Sequence, residues 1–339
     1  MPRLLATTLF TLLIVLPAPA LYATTFEEDS KAAAQGDAAS QYRLAQRYEA
    51  GKGVERDVKQ AADWYRKAAL QGHARAQTNL GNLYRSGQGV SKDYDAALEW
   101  YRKAAAQGDT KAQINLAMMY ARGMGVDKDE AEGLKWLQRA ADAGDTQAMV
   151  QLGTLYLQGK GVGKDDAQST RWFRKAAEKG DVIAQQNLGL AYSSGKGVGQ
   201  DYRESVKWHR KAAEKGYPPA EYSLGLRYAR GNGVGKDDAE AARWYRKAAE
   251  HGYPDAQNNL GILYKKGQGV SLDYAEAVDW FRKAAQRGHP LAQFNLGKMY
   301  EQGLGVKQDS GTAREWYRKA EKAGNKGAAK ALKSLEGVR

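Results

Sequence analysis

The chain has 339 residues, a formal net charge of +13 at pH 7 and no cysteine. Without cysteine no disulfide can form, so stability must come from packing even in an oxidising compartment. The basic balance permits contact with anionic polymers but does not by itself indicate a partner.

Residues 1–23 have the features of a secretory signal peptide. Arg3 supplies the positive charge, residues 4–16 form a short apolar run, and small residues then offer cleavage after Ala20 or after Ala23. The apolar run is too short to span a bilayer. We therefore expect an exported protein with no integral membrane segment after cleavage, located in the periplasm or, as the alternative, secreted.

A fixed period governs the rest of the chain. The eight tryptophans stand at positions 64, 100, 136, 172, 208, 244, 280 and 316, so every interval is 36 residues. A period of this length is typical of helical-repeat solenoids, in which each unit buries its apolar face against its neighbours. The sequence therefore predicts one array of eight units over residues 37–324. Because solenoids usually serve as binding surfaces, it also disfavours an enzyme.

The first half of each unit has the pattern of an amphipathic helix. In the second unit Ala76, Leu80, Leu83 and Tyr84 follow the i, i+4, i+7, i+8 spacing of one helix face. Gly81 marks a place where we expect a neighbouring helix backbone to come close. The starts of these helices are predicted by N-cap aspartates and N1 prolines. They are Asp37, Asp109, Asp145, Asp181, Pro218, Pro254 and Pro290.

The second half of each unit predicts a second helix after a Gly-x-Gly-Val turn. Asp93 and its equivalents are expected N-caps, and in six of the eight units a Glu or Gln three residues later completes the pattern of a capping box. Gly108 is the expected C′ residue. The predicted buried stripe of this helix consists of Ala97, Trp100, Ala104 and Ala105.

Partial units flank the array. Residues 24–36 match the end of a second helix, with Glu28 in the tryptophan position. Residues 325–339 match a first helix, with Leu332 in the leucine position but Glu336 where the tyrosine belongs. Polar replacements at the ends are what the caps of a solenoid need, so both segments are predicted to be capping helices.

The consensus L-G-x-x-Y-x-x-G-x-G-V-x-x-D followed by A-x-x-W-x-x-K-A-A-x-x-G resembles the Sel-one-like repeat family, a relative of the tetratricopeptide repeats. The resemblance covers residues 37–324. It implies an all-α fold, a right-handed superhelical solenoid of eight 36-residue antiparallel helix-pair repeats with terminal half-repeat caps. It also implies an adaptor or scaffold that holds proteins together, without shared catalytic residues.

No catalytic, cofactor or metal site is predicted. The histidines His73, His209, His251 and His289 are far apart in the sequence, whereas a zinc site needs three or four converging ligands. The segment 193–196 fits S-x-x-K, but no S-D-N or K-T-G follows it. We expect no enzymatic activity.

A second face of the first helices is the candidate protein-binding site. It is traced by the positions equivalent to 78 and 82, and its apolar members are Ile114, Met118, Val150, Leu190, Tyr222, Leu226, Ile262 and Phe294. Because such helices usually line the concave side of a solenoid, these residues predict an apolar groove for a protein partner of a monomeric adaptor. The other interpretation is that they fill gaps between stacked helices.

Basic pairs suggest an alternative function. An Arg–Lys pair follows each tryptophan after two and three residues, from Arg66 and Lys67 to Arg318 and Lys319, and only Gln138 breaks the series. Stacked at roughly 8–10 Å, these side chains could form ladders that hold an anionic envelope polysaccharide. The lysine belongs to the pattern of the resembled family, so a solvated or helix-end role is the other interpretation. Export argues against nucleic acid as a partner.

The signal-peptide prediction can be tested on the expressed protein. Cleavage after Ala20 gives a mature chain that starts at Leu21, and cleavage after Ala23 gives one that starts at Thr24. We expect N-terminal sequencing of the cell-associated protein to find one of these two ends. A mature protein that still begins at Met1 or Pro2 would contradict the prediction.

Overall fold

The structure is a computed structural model that describes residues 25–336. The predicted signal peptide lies outside the described residues. Within residues 25–336 all regular structure is α-helical, and no helix there is long and apolar enough to cross a bilayer. The chain forms two compact units. One contains the residues up to Met119 together with Gly123–Lys128, and the other contains Tyr120–Arg122 and the residues from Asp129 onward.

The described part of the chain contains 18 helices. Their bounds are α1 Phe26–Ala34, α2 Ala38–Ala50, α3 Val58–Leu70, α4 Ala74–Ser86, α5 Tyr94–Ala106, α6 Thr110–Arg122, α7 Glu130–Asp142, α8 Thr146–Gln158, α9 Asp166–Glu178, α10 Val182–Ser194, α11 Tyr202–Ala213, α12 Pro218–Arg230, α13 Asp238–Glu250, α14 Pro254–Lys266, α15 Tyr274–Gln286, α16 Pro290–Gln302, α17 Ser310–Lys322 and α18 Lys326–Glu336.

Helices that follow each other in sequence pack against each other, from α1 to α5 in one unit and from α7 to α18 in the other. The even-numbered helices α2 to α16 are the first helices of the repeats, and the odd-numbered helices α3 to α17 are the second helices. Helix α1 precedes the first pair and packs on α2, and α18 follows the last pair and packs on α17. The predicted all-α array of eight 36-residue helix pairs is therefore confirmed.

The starts of the first helices agree with the capping residues. Each of the four predicted aspartates accepts a hydrogen bond from the amide three residues later, and the three prolines open α12, α14 and α16. Two caps were not predicted. Nδ1 of His73 accepts from the amide of Ala76, and Nδ1 of His289 accepts from the amide of Ala292, both at 3.1 Å. In these two repeats an imidazole nitrogen accepts the N-cap hydrogen bond that an aspartate carboxylate accepts in other repeats.

The capping boxes predicted for the second helices are incomplete. Asp57 does accept from the amide of Gln60 at 3.1 Å, but its own amide donates to the carbonyl of Tyr48 at 2.9 Å. This backbone bond, from each N-cap aspartate to the tyrosine nine residues before it, recurs in all eight repeats. Because the amide is already bonded across the turn, it is not free for a Glu or Gln side chain. Among the described helices the full box occurs at Thr25 and Glu28 of α1.

The residue after each tryptophan, rather than the tryptophan, is the centre of the core. These residues are Tyr65, Tyr101, Leu137, Phe173, His209, Tyr245, Phe281 and Tyr317, and all are buried. The tryptophans at 172, 208, 244 and 280 are buried, and those at 64, 100, 136 and 316 are half-buried. The predicted stripe centred on Trp100 was therefore wrong by one position. Ala97, Tyr101, Ala104 and Ala105 keep the i, i+4, i+7, i+8 spacing, and the indole lies at the edge of that face.

A ring from the second helix rests on the glycine of the Leu-Gly pair in the first helix. A Cβ atom added at Gly81 would lie 2.7 Å from Cε1 of Tyr101. At Gly81 the close approach is made by an aromatic side chain. At the equivalent Gly225, Gly261 and Gly297 a backbone carbonyl of the second helix also comes close, 3.2–3.3 Å from the added Cβ, as predicted. Equivalent pairs are Gly153 with Phe173, Gly189 with His209, Gly225 with Tyr245, Gly261 with Phe281 and Gly297 with Tyr317.

The second glycine of the turn joins consecutive repeats. Gly89 has φ +71°, and a Cβ atom there would lie 2.3 Å from the carbonyl oxygen of Val58, in the first turn of the preceding second helix. Only glycine permits both this backbone conformation and this contact. The Gly-x-Gly-Val turn therefore ends one helix and also packs on the start of another.

His209 is an exception among the core aromatic positions. It is fully buried, neither ring nitrogen has a hydrogen-bond partner among the described residues, and the guanidinium of Arg227 lies close enough to repel a proton. Burial first, and then Arg227, lowers the pKa of His209 from 6.5 to about 3. Near the start of the array, the positions equivalent to 209 and 227 are occupied by Asp29 and Arg47, which form an ion pair of 2.7 Å. In the N-terminal pair the two opposite charges compensate each other. A proton on His209 would instead add a second positive charge beside Arg227, so protonation should destabilise the fold.

We predict that substitution of the glycine under the ring destabilises the fold. Gly261→Ala places a methyl group 2.8 Å from the ring of Phe281, so either the ring or the helix must shift. The expected cost is about 1–3 kcal/mol in a urea unfolding curve. Gly235→Ala is the matched control, because a Cβ there meets nothing within 4 Å. Equal stability of the two variants would contradict the ring-on-glycine contact.

We predict that His209 makes the fold acid-sensitive. Its folded pKa of about 3 lies below the unfolded value of 6.5, so the unfolded chain binds the proton first and stability falls as the pH drops from 6.5 toward 3. Between pH 7 and pH 5 the expected loss is about 2 kcal/mol. His209→Phe should lack this pH-dependent component because phenylalanine does not titrate. The variant should fold, since Phe173 and Phe281 occupy the equivalent position in other repeats. Parallel pH profiles of wild type and variant would contradict the assignment.

Candidate protein-binding face

The predicted apolar residues lie on one side of the first helices, called here the first-helix face. In the unit that contains α7 to α18, Leu190 is exposed, with 43% of its surface accessible. The remaining predicted residues of that unit are half-buried; they are Val150, Tyr222, Leu226, Ile262 and Phe294. In the other unit Ile114 and Met118 are also half-buried. None of the eight is a fully buried core residue, and none except Leu190 is widely open to solvent.

The positions equivalent to 78 mainly join neighbouring helices. The ring of Tyr222 lies 5.7 Å from that of Tyr245 and 5.2 Å from that of Tyr253, and the ring of Phe294 lies 5.5 Å from that of Tyr317. The polar members of this column bond across consecutive first helices. Gln186 donates to Ser223, and Asn295 donates to Asn258, both at 3.0 Å. The gap-filling interpretation therefore holds for Tyr222 and Phe294.

The positions equivalent to 82 are the more open column. Leu226 and Ile262 pack with one side against cores that the second helix of their own repeat forms with the first helix of the next. Leu190 lies two helical turns after Ile183, which is 44% exposed on the same helix. Sequence reasoning missed Ile183 and the exposed Leu291, because it followed only two positions of each helix. Extending the helical spacing by seven residues toward the N-terminus would have found both.

The basic pairs of the second helices are engaged by aromatic side chains. In every repeat the cation three residues after the tryptophan lies over its indole ring, at distances from 3.7 Å for Lys67 to 4.4 Å for Lys103 and Arg139. The arginine of the pair donates to the hydroxyl of the tyrosine 18 residues later in several repeats, as Arg66 does to Tyr84 at 3.0 Å. These contacts support the structural interpretation of the pairs.

The four histidines do not converge. His73 and His289 cap helices, His209 is buried, and Nδ1 of His251 lies 2.9 Å from Oε2 of the buried Glu221. Within residues 25–336 no group of three His, Asp or Glu side chains is arranged to hold a metal ion.

Comparison with known proteins identifies the repeat. The Sel1 repeat family matches eight consecutive segments, at residues 38–73, 74–109, 110–145, 146–181, 182–217, 218–253, 254–289 and 290–325. No curated protein matches the chain significantly.

Two solved structures are similar over almost the whole chain. One is c5321, a protective antigen of uropathogenic Escherichia coli with an SLR fold, at 35% identity and a TM-score of 0.83, covering 92% of this chain and 67% of that one. The other is a Sel1 repeat protein from Oxalobacter formigenes, at 36% identity and a TM-score of 0.73, covering 91% of this chain and 90% of that one.

Sel1 repeat proteins are generally protein-interaction scaffolds, and their fold is typically non-catalytic. The eight repeats, the helix pairs and the two structural relatives lead to one conclusion: the chain belongs to the Sel1 repeat family.

Proposed function

We propose that this chain is an exported, non-catalytic adaptor of the cell envelope that binds a protein partner through the first-helix face. The observation that carries the proposal is the exposure of Leu190 and Ile183 on one side of α10. Exposed apolar side chains that lie together on a helix lower their free energy when a partner covers them. Leu226 and Ile262 occupy the column of Leu190 on α12 and α14 and extend the apolar surface.

Export rests on the signal-like segment of residues 1–23 and on one relative. The uropathogenic E. coli protein is a protective antigen, and recognition by the immune system is compatible with an exported location. A periplasmic location is the proposal, with secretion as its alternative.

The polysaccharide alternative is the weaker one. Its proposed ligands, the cations after each tryptophan, already lie over indole rings. An anionic polymer would have to compete with these contacts or draw the side chains away from them.

Affinity capture from an envelope extract tests the proposal. We predict that wild type retains a protein partner and that Ile183→Asp, Leu190→Asp loses it, because two buried carboxylates would oppose an apolar contact. Both side chains are exposed, so this variant should fold as wild type does in circular dichroism. Leu226 is avoided because it also packs on the core.

The matched control is Leu70→Asp, Leu272→Asp, which changes two exposed leucines, 71% and 56% accessible, outside the first-helix face. The partner should then be purified and its affinity for each variant measured. Retention of that partner by the α10 variant, or equal loss in the control, would contradict the proposed site.

A further inference from the structure

A group of cations lies on the first-helix face where α12, α14 and α16 approach their C-terminal ends. This basic cluster consists of Arg230, Lys265, Lys266 and Lys298. None of the four forms an ion pair within the described part of the chain. Elsewhere on the surface Arg243 pairs with Glu240 of its own helix at 3.3 Å, whereas the four cations of the cluster have no such partner.

Positive charges in the basic cluster repel one another. Half-buried Lys265 has a pKa below its usual value, first because burial disfavours the ammonium and then because Lys298 and Lys266 repel it. On the neighbouring helix, the charge of Arg230 likewise contributes to lowering the pKa of Arg227, after burial. Like charges held together destabilise a fold, so an anion bound between them would be stabilising.

Helix stability does not require these cations. A positive charge near a helix C-terminus interacts favourably with the helix dipole. Helices α8 and α10 nevertheless have no basic residue in the last turn and end at the same left-handed glycine cap as α12 and α14. The cluster is thus confined to particular repeats, whereas the helix ends are common to all of them.

Apolar side chains alternate with the cations on the same surface. Leu226 precedes Arg230 by four residues on α12, and Ile262 precedes Lys266 by four residues on α14, so each pair lies on one side of its helix. On α16 Lys298 itself occupies the column of Leu226 and Ile262. Its ammonium lies 5.1 Å from the ring centroid of Phe294.

The carboxylates of these first helices are already engaged. Glu221 contacts His251 at 2.9 Å, Asp255 contacts His289 at 3.3 Å, and Glu301 accepts a hydrogen bond from the hydroxyl of Tyr317 at 2.6 Å. None of these three carboxylates forms an ion pair with the four cations.

We propose that Leu226, Ile262 and the basic cluster bind an acidic segment of a partner protein that also carries apolar side chains. The apolar side chains of the segment cover Leu226 and Ile262, and its carboxylates pair with the four cations. This inference rests on the proposed function and specifies the chemistry of the partner. A purely anionic polymer would satisfy the cations but leave the two apolar residues uncovered, which favours a peptide.

Two labelled peptides test the proposal with the full-length chain. One contains Glu-Glu-Leu four times and the other contains Lys-Lys-Leu four times, and fluorescence anisotropy measures both at physiological salt. We expect wild type to bind the glutamate peptide at least about 10-fold more tightly than the lysine peptide. In Lys265→Glu, Lys266→Glu, Lys298→Glu this preference should be lost or reversed.

The control is Lys160→Glu, Arg171→Glu, Arg203→Glu, which makes the same change in net charge at three exposed positions outside the first-helix face. It should keep the preference of wild type. Equal affinity of wild type for both peptides, or an equal loss in the control variant, would overturn the proposal. Polyglutamate bound as tightly as the leucine-containing peptide would also overturn it and indicate a general anion-binding surface.

Failure of this inference can be distinguished from failure of the proposed function. If the captured partner is lost in the Ile183, Leu190 variant but retained by the triple charge variant, the adaptor proposal stands and the acidic segment is wrong. If the Ile183, Leu190 variant retains the partner, the proposed site itself fails, whatever the peptides show.

Discussion

In six repeats a ring from the second helix is pressed against a glycine in the middle of the first helix. This contact sets how closely the two helices pack, because any side chain larger than hydrogen at the glycine would collide with the ring. The ring is also long enough to reach the opposite surface. The hydroxyl of Tyr101 donates to Asn82 at 2.7 Å, and that of Tyr65 donates to Glu49 at 2.6 Å, both on the first helices. The core therefore positions polar groups on the face assigned to binding.

The surfaces of the first and second helices differ in how many of their side chains lack a contact within the chain and can bind a ligand. On the second helices the tryptophan rings are covered by cations, and several arginines are bonded to tyrosine hydroxyls. On the first helices Ile183 and Leu190 remain exposed, and the basic cluster has no carboxylate partner in the described chain. Cations and rings that already contact each other must give up those contacts to bind a ligand, so they contribute less to its affinity. This contrast supports the proposal that a partner binds to the first-helix face.

The repeat and its helix starts could be predicted from the sequence because they follow from fixed spacing and from local chemistry. A proline at N1 or an aspartate at an N-cap acts on its own helix, so Pro218 and Asp145 needed no tertiary information. The centre of the core could not be predicted in this way. Trp100 recurs without exception in its column and looked like the core residue, but the more variable position of Tyr101 is the one that faces the first helix.

Sequence reasoning also failed where a residue contacts a residue on another helix or across a turn. The capping boxes failed because the amide of the N-cap aspartate, as in Asp57, bonds to the carbonyl of a tyrosine across the turn, here Tyr48, which no local motif reports. Val150 and Leu190 have similar side chains, yet Val150 is half-buried and Leu190 is exposed, which the sequence spacing alone does not distinguish. The lack of ion pairs around Lys265 likewise became visible only when the helices were packed.

A protein partner that binds as proposed covers the first-helix face and leaves the second helices exposed. Hydrogen–deuterium exchange of the full chain, measured alone and with its purified partner, distinguishes the two sets of helices. We expect slower exchange in α10, α12 and α14 on binding and no change in α11, α13 and α15. Protection confined to the second helices, or absent from α10, α12 and α14, would contradict the proposal.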